Sequence, residues 1–470
     1  MAPTFSRLAI AVIAALAALP GASHAMDLAQ AYRDALAYDA QVASARASLA
    51  AVREREQQAR AGLLPSSNLS ATLNRAGVDT NLADRREFTQ KIFSANLSYP
   101  LYRLQNIETF EQSKLQVAVS EAALVQTHVD LAIRVSQAYF DVLAAQDNLR
   151  TIQSQKRAIT EQLASAKRNF EVGTATITDQ QEAQARFDLS VAQESSAIND
   201  LLVRRSALAL LIGKPVTELK VLRTGVELQP PTPARETEWT DSARQNNLAV
   251  QQARVAAEIA RREIDKQRYG HYPTLDVIGS VGWSQNGNTA TVVNLPGVQS
   301  YNASIGLQLN LPIYAGGGID ARVREARALL DKSQSDLETA RRAAEQGARQ
   351  TFIGVNSGLA QVRALEAAEK SSQLALDSNL LGYQVGVRIN IDVLNAQQQL
   401  FTTRRDLAKA RYDVLINGLK LKQTAGTLSE EDLQAIGALL ETAPAGGDDV
   451  GAAAPAPVAP AAAPAAPARR

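Results

Sequence analysis

Phe170-Glu171-Val172-Gly173-Thr174-Ala175-Thr176-Ile177-Thr178-Asp179 returns later in the chain as Tyr383-Gln384-Val385-Gly386-Val387-Arg388-Ile389-Asn390-Ile391-Asp392. The offset is 392 − 179 = 213 residues. Two more landmarks keep nearly that spacing. Ser98-Tyr99-Pro100-Leu101-Tyr102 matches Asn310-Leu311-Pro312-Ile313-Tyr314, and Leu63-Leu64-Pro65 matches His271-Tyr272-Pro273. Three landmarks in one order at one spacing identify a duplicated unit, and a repeat has to be found before any single element is assigned. The repeats run over residues 26–213 and 239–426, joined by a linker at 214–238 that carries Pro215, Pro230, Pro231 and Pro233.

Working outward from the motif, the stretch from Arg103 to Val172 has neither glycine nor proline. Such a run predicts a helix of about 100 Å. Leu149, Ile152, Ile159, Leu163, Ala166 and Phe170 recur along it at coiled-coil spacing. The matching helix over 319–384 is interrupted by Gly347, Gly354 and Gly358, which permit bending or close packing. Return helices are expected over 178–212 and 390–423. A shorter helix opens each repeat.

Between the opening and long helices the period changes to two. Tyr301, Ala303, Ile305, Leu307, Leu309, Leu311 and Ile313 alternate with Asn302, Ser304, Gly306, Gln308 and Asn310. In the first repeat Phe93, Ala95, Leu97, Tyr99 and Leu101 alternate with Ser94, Asn96 and Ser98. The alternation predicts strands at about 66–78, 89–101, 274–285 and 300–313. A hairpin packed on a globular core would show the same pattern. Three features favour strands that cross a membrane instead. Their length suffices to span hydrocarbon at a tilt, tyrosine, phenylalanine and tryptophan cluster near their ends, and everything around them reads as coiled coil with nothing to cover the apolar faces. Four strands leave two open edges, which lipid does not tolerate, so the chain is expected to oligomerise. Strand number alone allows a dimer, a trimer or more.

The chain carries 49 Lys and Arg against 48 Asp and Glu, with Arg7 in the probable leader supplying the excess. A near-neutral mature chain argues against nucleic-acid binding, which needs a basic face. Without cysteine there is no thiolate metal site, no thiol nucleophile and no lipoprotein acyl anchor. Residues 1–25 combine Arg7, an apolar run from Leu8 to Leu19, a Pro20-Gly21 break and small residues at Ser23 and Ala25, which reads as a secretory signal. The Ala/Pro-rich tail over 443–470 cannot bury a core and is expected to be disordered. Residues 427–442 complete the second unit. Catalysis finds no support: His24 falls in the leader, His128 and His271 have no Asp and Ser context, and Gly316-Gly317-Gly318 lacks the Lys-Ser/Thr of a phosphate loop. No cofactor and no metal are expected.

The duplicated Val-Gly-x-x-x-x-x-Asp motif, the two Pro-delimited strand pairs, Leu211-Ile212-Gly213-Lys214-Pro215 and Thr424-Ala425-Gly426-Thr427-Leu428 together resemble the TolC family of outer-membrane efflux and secretion channels. The resemblance covers nearly all of the mature chain. It implies a mixed α+β membrane protein: a homotrimer whose four strands per protomer form a twelve-stranded β-barrel in the outer membrane, continued by a long α-helical coiled-coil tunnel in the periplasm. It implies a conduit with no enzymatic activity, working with a periplasmic adaptor (a membrane fusion protein) and an inner-membrane pump or ABC secretion transporter. A pore-free periplasmic scaffold or adaptor is the competing reading, though no lipoyl-like or separate β-barrel module stands between the helices.

Gly173 and Gly386 suit left-handed positions at helix ends, and Thr178 with Gln181 fits a capping box. Asp179 and Asp392 then have a plain role in complementing the dipoles of the return helices. The resemblance adds a second role. Asp392 matches a constricting acidic position of the pore, and Asn395 matches a second one that is often Asp, so the field of this pore is expected to be weaker. Closing links at the tip match Tyr383 and Arg388 on one repeat with Thr178 and Asp179 on the other, Arg388 to Asp179 being a charge-assisted pair. Val172, Gly173, Val385 and Gly386 resemble residues that meet an adaptor; as turns alone they need only join helices.

Overall fold

The computed structural model describes residues 25–80, 83–174, 176–216, 218–223, 225–286 and 298–442. The leader up to residue 24 and the tail over 443–470 lie outside the described residues. Each repeat opens with two short helices, α1 (Leu28–Tyr38) and α2 (Ala40–Ala61) in the first. Asp39 both ends α1 and begins α2, its carboxylate accepting the Val42 N–H at 2.9 Å. Strands β1 (Ser66–Thr80) and β2 (Ala83–Tyr102) follow, then α3 (Leu104–Glu171) and α4 (Ile177–Ile212). After the linker and its two-residue strand β3 (Val221–Leu222) the order recurs: α5 (Glu236–Asn246), α6 (Leu248–Arg268), β4 (Thr274–Asn286), β5 (Val298–Asn310), α7 (Gly318–Gln384) and α8 (Asn390–Thr424). A short α9 (Glu430–Gly437) and β6 (Leu440–Glu441) close the chain, β6 pairing with β3.

The 68 residues of α3 and the 67 of α7 each extend about 100 Å at the usual helical rise. Their packing is not one globular core but a series of clusters. The largest lies where the linker and the residues before α1 and after α9 pack on the helices. There Tyr139 is fully buried and donates its hydroxyl to the carbonyls of Met26 and Lys220 at 3.0 and 2.9 Å, tying the segment before α1 and the linker to α3. Phe140 stacks on Tyr412 of α8, ring centres 5.6 Å apart. A second cluster joins Trp239, Phe352, Val355, Leu359, Val414 and Leu421. Here a Cβ on Gly358 would come within 2.8 Å of Val414, so α7 and α8 approach closely only because that position is glycine. Towards the tips the clusters shrink to Leu163, Ala166 and Ala183, and to Leu376, Val393 and Leu400.

The four long strands form one antiparallel sheet in the order β1-β2-β4-β5, so β2 and β4 join the two repeats and β1 and β5 are its edges. The first hairpin extends further than the expected 66–78 and 89–101. The apolar alternation stops where it was expected to, but backbone pairing needs no alternation, and the register runs on to Thr80 and Ala83. β5 ends at Asn310 rather than 313, because Pro312 has no N–H for a ladder bond. Among the described residues no helix is long and apolar enough to cross a membrane.

Candidate functional site

The register of the sheet separates two chemistries. Leu69, Ala95, Val281 and Ala303 share one row, and Ala71, Phe93, Trp283 and Tyr301 the next. With Leu97, Ile305, Tyr99, Val277 and Leu307 they make one apolar face that is open over most of its area; Tyr301 is 77% and Ile305 82% exposed. The Phe93 and Trp283 rings lie 5.5 Å apart, and the row beyond holds Lys91, Gln285 and Gln299 beside Leu73 of the edge strand β1. From Tyr301 to Leu309 is 309 − 301 = 8 residues, about 27 Å of strand. An outward apolar band closed by aromatic residues is what a lipid-facing barrel wall requires.

The opposite face is amide and hydroxyl. Ser70 and Ser94 hydroxyls are 2.7 Å apart, Ser280 and Ser304 2.8 Å, and Ser284 and Ser300 2.7 Å. Asn68, Asn96 and Asn302 lie among them, interrupted by Ile92 and Ile278. Among the described residues the one carboxylate on this face is Asp276. It is buried, and Arg103 grips it through Nε and Nη2, each at 2.7 Å. Among the described residues this face is polar, and its one carboxylate is ion-paired.

At the far end of the long helices the two repeats turn by the same device. Gly173 (φ 79°) and Gly386 (φ 77°) are left-handed, and in each turn the two N–H groups after the helix bond back across its last turn. Thr174 N–H reaches the Asn169 carbonyl at 2.8 Å, and Val387 N–H the Gly382 carbonyl at 2.8 Å. Val172, Val385 and Val387 are exposed around these turns. The capping box falls on Thr176 and Asp179, not on Thr178 and Gln181. The Asp179 N–H donates to the Thr176 hydroxyl, and the Asp179 carboxylate accepts the Thr176 N–H at 3.0 Å and its hydroxyl at 2.7 Å. The reciprocal bonds between Thr176 and Asp179 satisfy the backbone N–H of each, and the expected box lies two residues too late to do so. Thr178 makes no side-chain hydrogen bond.

The expected Arg388–Asp179 pair does not form within the chain. Asp179 is committed to its cap, and Arg388 lies 3.6 Å from Asp392, one helical turn ahead. The stem of Arg388 fits over Gly382, where a Cβ would meet its Cγ at 2.7 Å. Asn395 accepts a bond from Arg186 of α4 at 3.2 Å. Thus Asp392 and Asn395, the two positions expected to constrict a pore, each have a guanidinium beside them. Tyr383 is linked across the repeats, its hydroxyl accepting from Asn169 Nδ2 at 3.2 Å.

That last contact belongs to a ladder that the sequence reading missed. Gln155 donates to Gln398 at 3.1 Å, and buried Gln162 donates to buried Asn390, which in turn donates to the Asp179 carbonyl at 3.3 Å. The α3 members, Gln155, Gln162 and Asn169, are seven residues apart. A polar residue repeating at one seam position of a heptad is a readable signal, since such positions are otherwise apolar. Three rungs of uncharged amide and phenol thus join α3 to the α7–α8 hairpin. Among the described residues no group of three His, Asp or Glu side chains is placed to hold a metal ion.

Residues 31–214 and 239–427 match the model of a family described as outer membrane efflux protein, one match per repeat. The outer membrane protein TolC of Vibrio cholerae serotype O1 is 33% identical over 434 residues, covering 92% of this chain and 98% of that one. The alkaline protease secretion protein AprF of Pseudomonas aeruginosa is 31% identical, covering 88% of this chain and 87% of its own. Among solved structures, the outer membrane protein VceC of Vibrio cholerae superposes with a TM-score of 0.72 at 18% identity, over 85% of this chain and 96% of that one. The CmeC outer membrane channel of Campylobacter jejuni gives 0.73 at 16% identity, over 88% and 90%.

Proposed function

The chain belongs to the outer membrane efflux protein family, and from that premise we propose that three copies close their sheets into one twelve-stranded barrel, opening through their joined helices into the periplasm. The protein is an outer-membrane channel-tunnel of the export machinery. The observation that carries the barrel is the sheet itself: one open apolar face, one Ser/Asn face and two unpaired edge strands. In lipid those edges must be paired, and closure with other copies pairs them all. The Ser/Asn face then lines a wet lumen.

The periplasmic tips form the gate in this reading. Asp392 and Asn395 of three chains ring the constriction, and the Asn169–Tyr383 bond across the repeats, with Arg388 offsetting the repulsion between Asp392 carboxylates, holds it narrow. The exposed turns at Val172, Gly173, Val385 and Gly386 receive a periplasmic adaptor, through which an inner-membrane pump or secretion transporter delivers cargo. The names of relatives point to two cargo classes, small molecules for efflux and polypeptide for secretion. A wall whose one carboxylate among the described residues is ion-paired suits both.

Two measurements test this reading. The protein extracted from outer membranes should migrate as a trimer that heating converts to monomer, and in planar bilayers it should open small-conductance channels. Tyr383→Phe with Arg388→Ala should raise that conductance severalfold. A soluble periplasmic monomer would end the barrel, and unchanged conductance would end the tip gate.

A further inference from the structure

The four long helices lie side by side in the order α4-α3-α8-α7, because α3 packs on both α4 and α8, and α8 packs on α7. α4 and α7 are thus the outer members of the layer, as β1 and β5 are the edges of the sheet. α7 buries one stripe that includes Phe352, Val355 and Leu359, and it carries a second stripe that is exposed. On that second stripe every seventh residue from Ile353 to Leu381 is isoleucine, alanine or leucine, and the interleaved positions from Ser357 to Ser378 are serine or alanine. α4 repeats the pattern on its outer side. In steps of four and three from Ala185 to Leu210 it reads alanine, leucine, alanine, serine, asparagine, valine, serine and leucine. Every one of these positions is exposed in the single chain, Leu210 by 75% and Leu374 by 68%, and none is charged. A helix face that met water along this length would carry charge. Steps of four and three are instead the seam spacing of a coiled coil.

The two stripes also lie at the same height. Arg204 of α4 donates to Asp141 of α3 at 3.2 Å, Phe140 next to it stacks on Tyr412 of α8, and Val414 two residues on is what a Cβ on Gly358 of α7 would meet. Arg204 and Gly358 therefore share a level. At the turns Asn390 of α8 donates to the Asp179 carbonyl of α4 at 3.3 Å, so the two hairpins end together. Laid antiparallel at those levels, the stripes match position for position: Leu210 stands opposite Ile353, Val203 opposite Ala360, Ser196 opposite Ala367 and Leu189 opposite Leu374. The steps of four and three fall at the same intervals on both. Ser357 and Ser378 donate their hydroxyls to the Gly354 and Leu374 carbonyls of their own helix at 3.2 and 2.8 Å, so covering them strands no donor. Within one chain α3 and α8 stand between α4 and α7, about 25–30 Å at ordinary interaxial spacing. The stripes can meet only between copies.

We infer that α4 of one copy packs along α7 of the next as an antiparallel coiled coil in this register, and that this seam seals the tunnel wall between copies. The occupant is a second copy because the stripes agree in length, level and step, and because closure of β1 on β5 of the next copy brings the same two repeats edge to edge. Large pairs clasp the seam at Leu210–Ile353 and Leu189–Leu374, and small residues between them let the backbones approach. Asn199, opposite Ala364, is the polar position that sets the register, since a lone amide in a seam disfavours every alignment that buries it less well. The inference rests on the barrel reading, which heat-modified migration of the wild type tests by itself.

The chain has no cysteine, so introduced pairs report without background. S196C/A367C and V203C/A360C are in register, and S196C/A360C is displaced by seven residues, about 10 Å along the helix. After oxidation of outer membranes, both in-register pairs should give a trimer that survives boiling without reductant. The displaced pair should link at least about tenfold more slowly, because a disulfide tolerates little extra separation. A heat-modifiable trimer that neither in-register pair links, a bond closed within one chain, or equal linking of the displaced pair overturns the inference. A wild type without a heat-modifiable trimer removes the barrel reading and the seam together. Should neither pair assemble, S196C alone decides: in the intact trimer it should resist a membrane-impermeant maleimide at least about tenfold better than after heating, in keeping with a close-packed seam. Rapid labelling of the intact trimer overturns the inference as well.

Discussion

Asp147 sits part-buried on α3, and the Tyr412 hydroxyl donates to its Oδ2 at 2.5 Å. Burial pushes this carboxyl above the usual carboxylate range, against the opposing pull of the Tyr412 bond and the Arg150 charge. Burial, with the Asp147 charge beside it, pushes the Tyr412 phenol up as well, so it stays a donor. A carboxyl whose folded-state pKa is raised contributes stability that is complete below its ordinary pKa and lost as pH rises through the raised value. Above that value the ionised Asp147 is a net cost. Asp147→Asn keeps an acceptor for Tyr412 and removes the charge, so the variant should melt higher than wild type at pH 8. The advantage should vanish as pH falls to about 4. An equal shift at both pH values would rule out ionisation as the cause. Two left-handed glycines make the complementary point about space. A Cβ on Gly386 meets nothing within 4 Å, whereas one on Gly426 would fall 2.2 Å from the Asn246 carbonyl oxygen. Gly386→Ala should therefore cost only conformational strain, about 1 kcal/mol, and Gly426→Ala about 3 kcal/mol or more, because backbone must move. Thermal melting of the two purified variants checks the order.

Whole elements were more legible in the sequence than the bonds that fasten them. The long helices follow from runs without glycine or proline, and the strands from a period of two, both of which are properties of many residues that no single contact overrides. Element ends were read less well, since backbone pairing carries the first hairpin past its apolar alternation and a single residue, Pro312, limits β5. The capping box was placed two residues late because Thr176 and Thr178 are equally good caps locally, and the turn that follows Gly173 chooses between them. The amide ladder was written openly at heptad spacing in Gln155, Gln162 and Asn169, whereas its partners Gln398, Asn390 and Tyr383 depend on how the repeats dock. The Arg103–Asp276 pair is a similar fastening, joining the start of α3 to β4 across the two repeats. Asp276 is buried, so removing Arg103 leaves a carboxylate without its counter-charge. Arg103→Gln should cost about 2–3 kcal/mol. Arg103→Gln with Asp276→Asn should cost less than the single change, because the stranded charge is then gone. Heat-modification midpoints of the two variants measure this, and a double variant weaker than the single one would show that the pair acts by packing instead.

At the scale of the assembled channel, selectivity depends on the charge that three chains bring to one axis. A ring of carboxylates attracts cations and repels anions, with a strength set by how many of its charges go uncompensated. In the proposed gate the first ring is Asp392, each with Arg388 at 3.6 Å, and the second is Asn395, each with Arg186 at 3.2 Å. The guanidinium groups cancel much of the first ring, and the second carries no charge to cancel. The wild-type channel should therefore show only a weak preference for potassium over chloride in asymmetric salt, and weak block by multivalent cations from the periplasmic side. Arg388→Ala exposes Asp392 and should raise the cation preference by itself. Asn395→Asp should add less than a full ring, since Arg186 already stands beside it, and Asn395→Asp with Arg186→Gln should add the most. Reversal potentials across the three variants test the ranking. If Asn395→Asp alone shifts selectivity as far as its combination with Arg186→Gln, then Arg186 turns away from the axis once three chains assemble. The selectivity of the pore would then be set by the carboxylates alone.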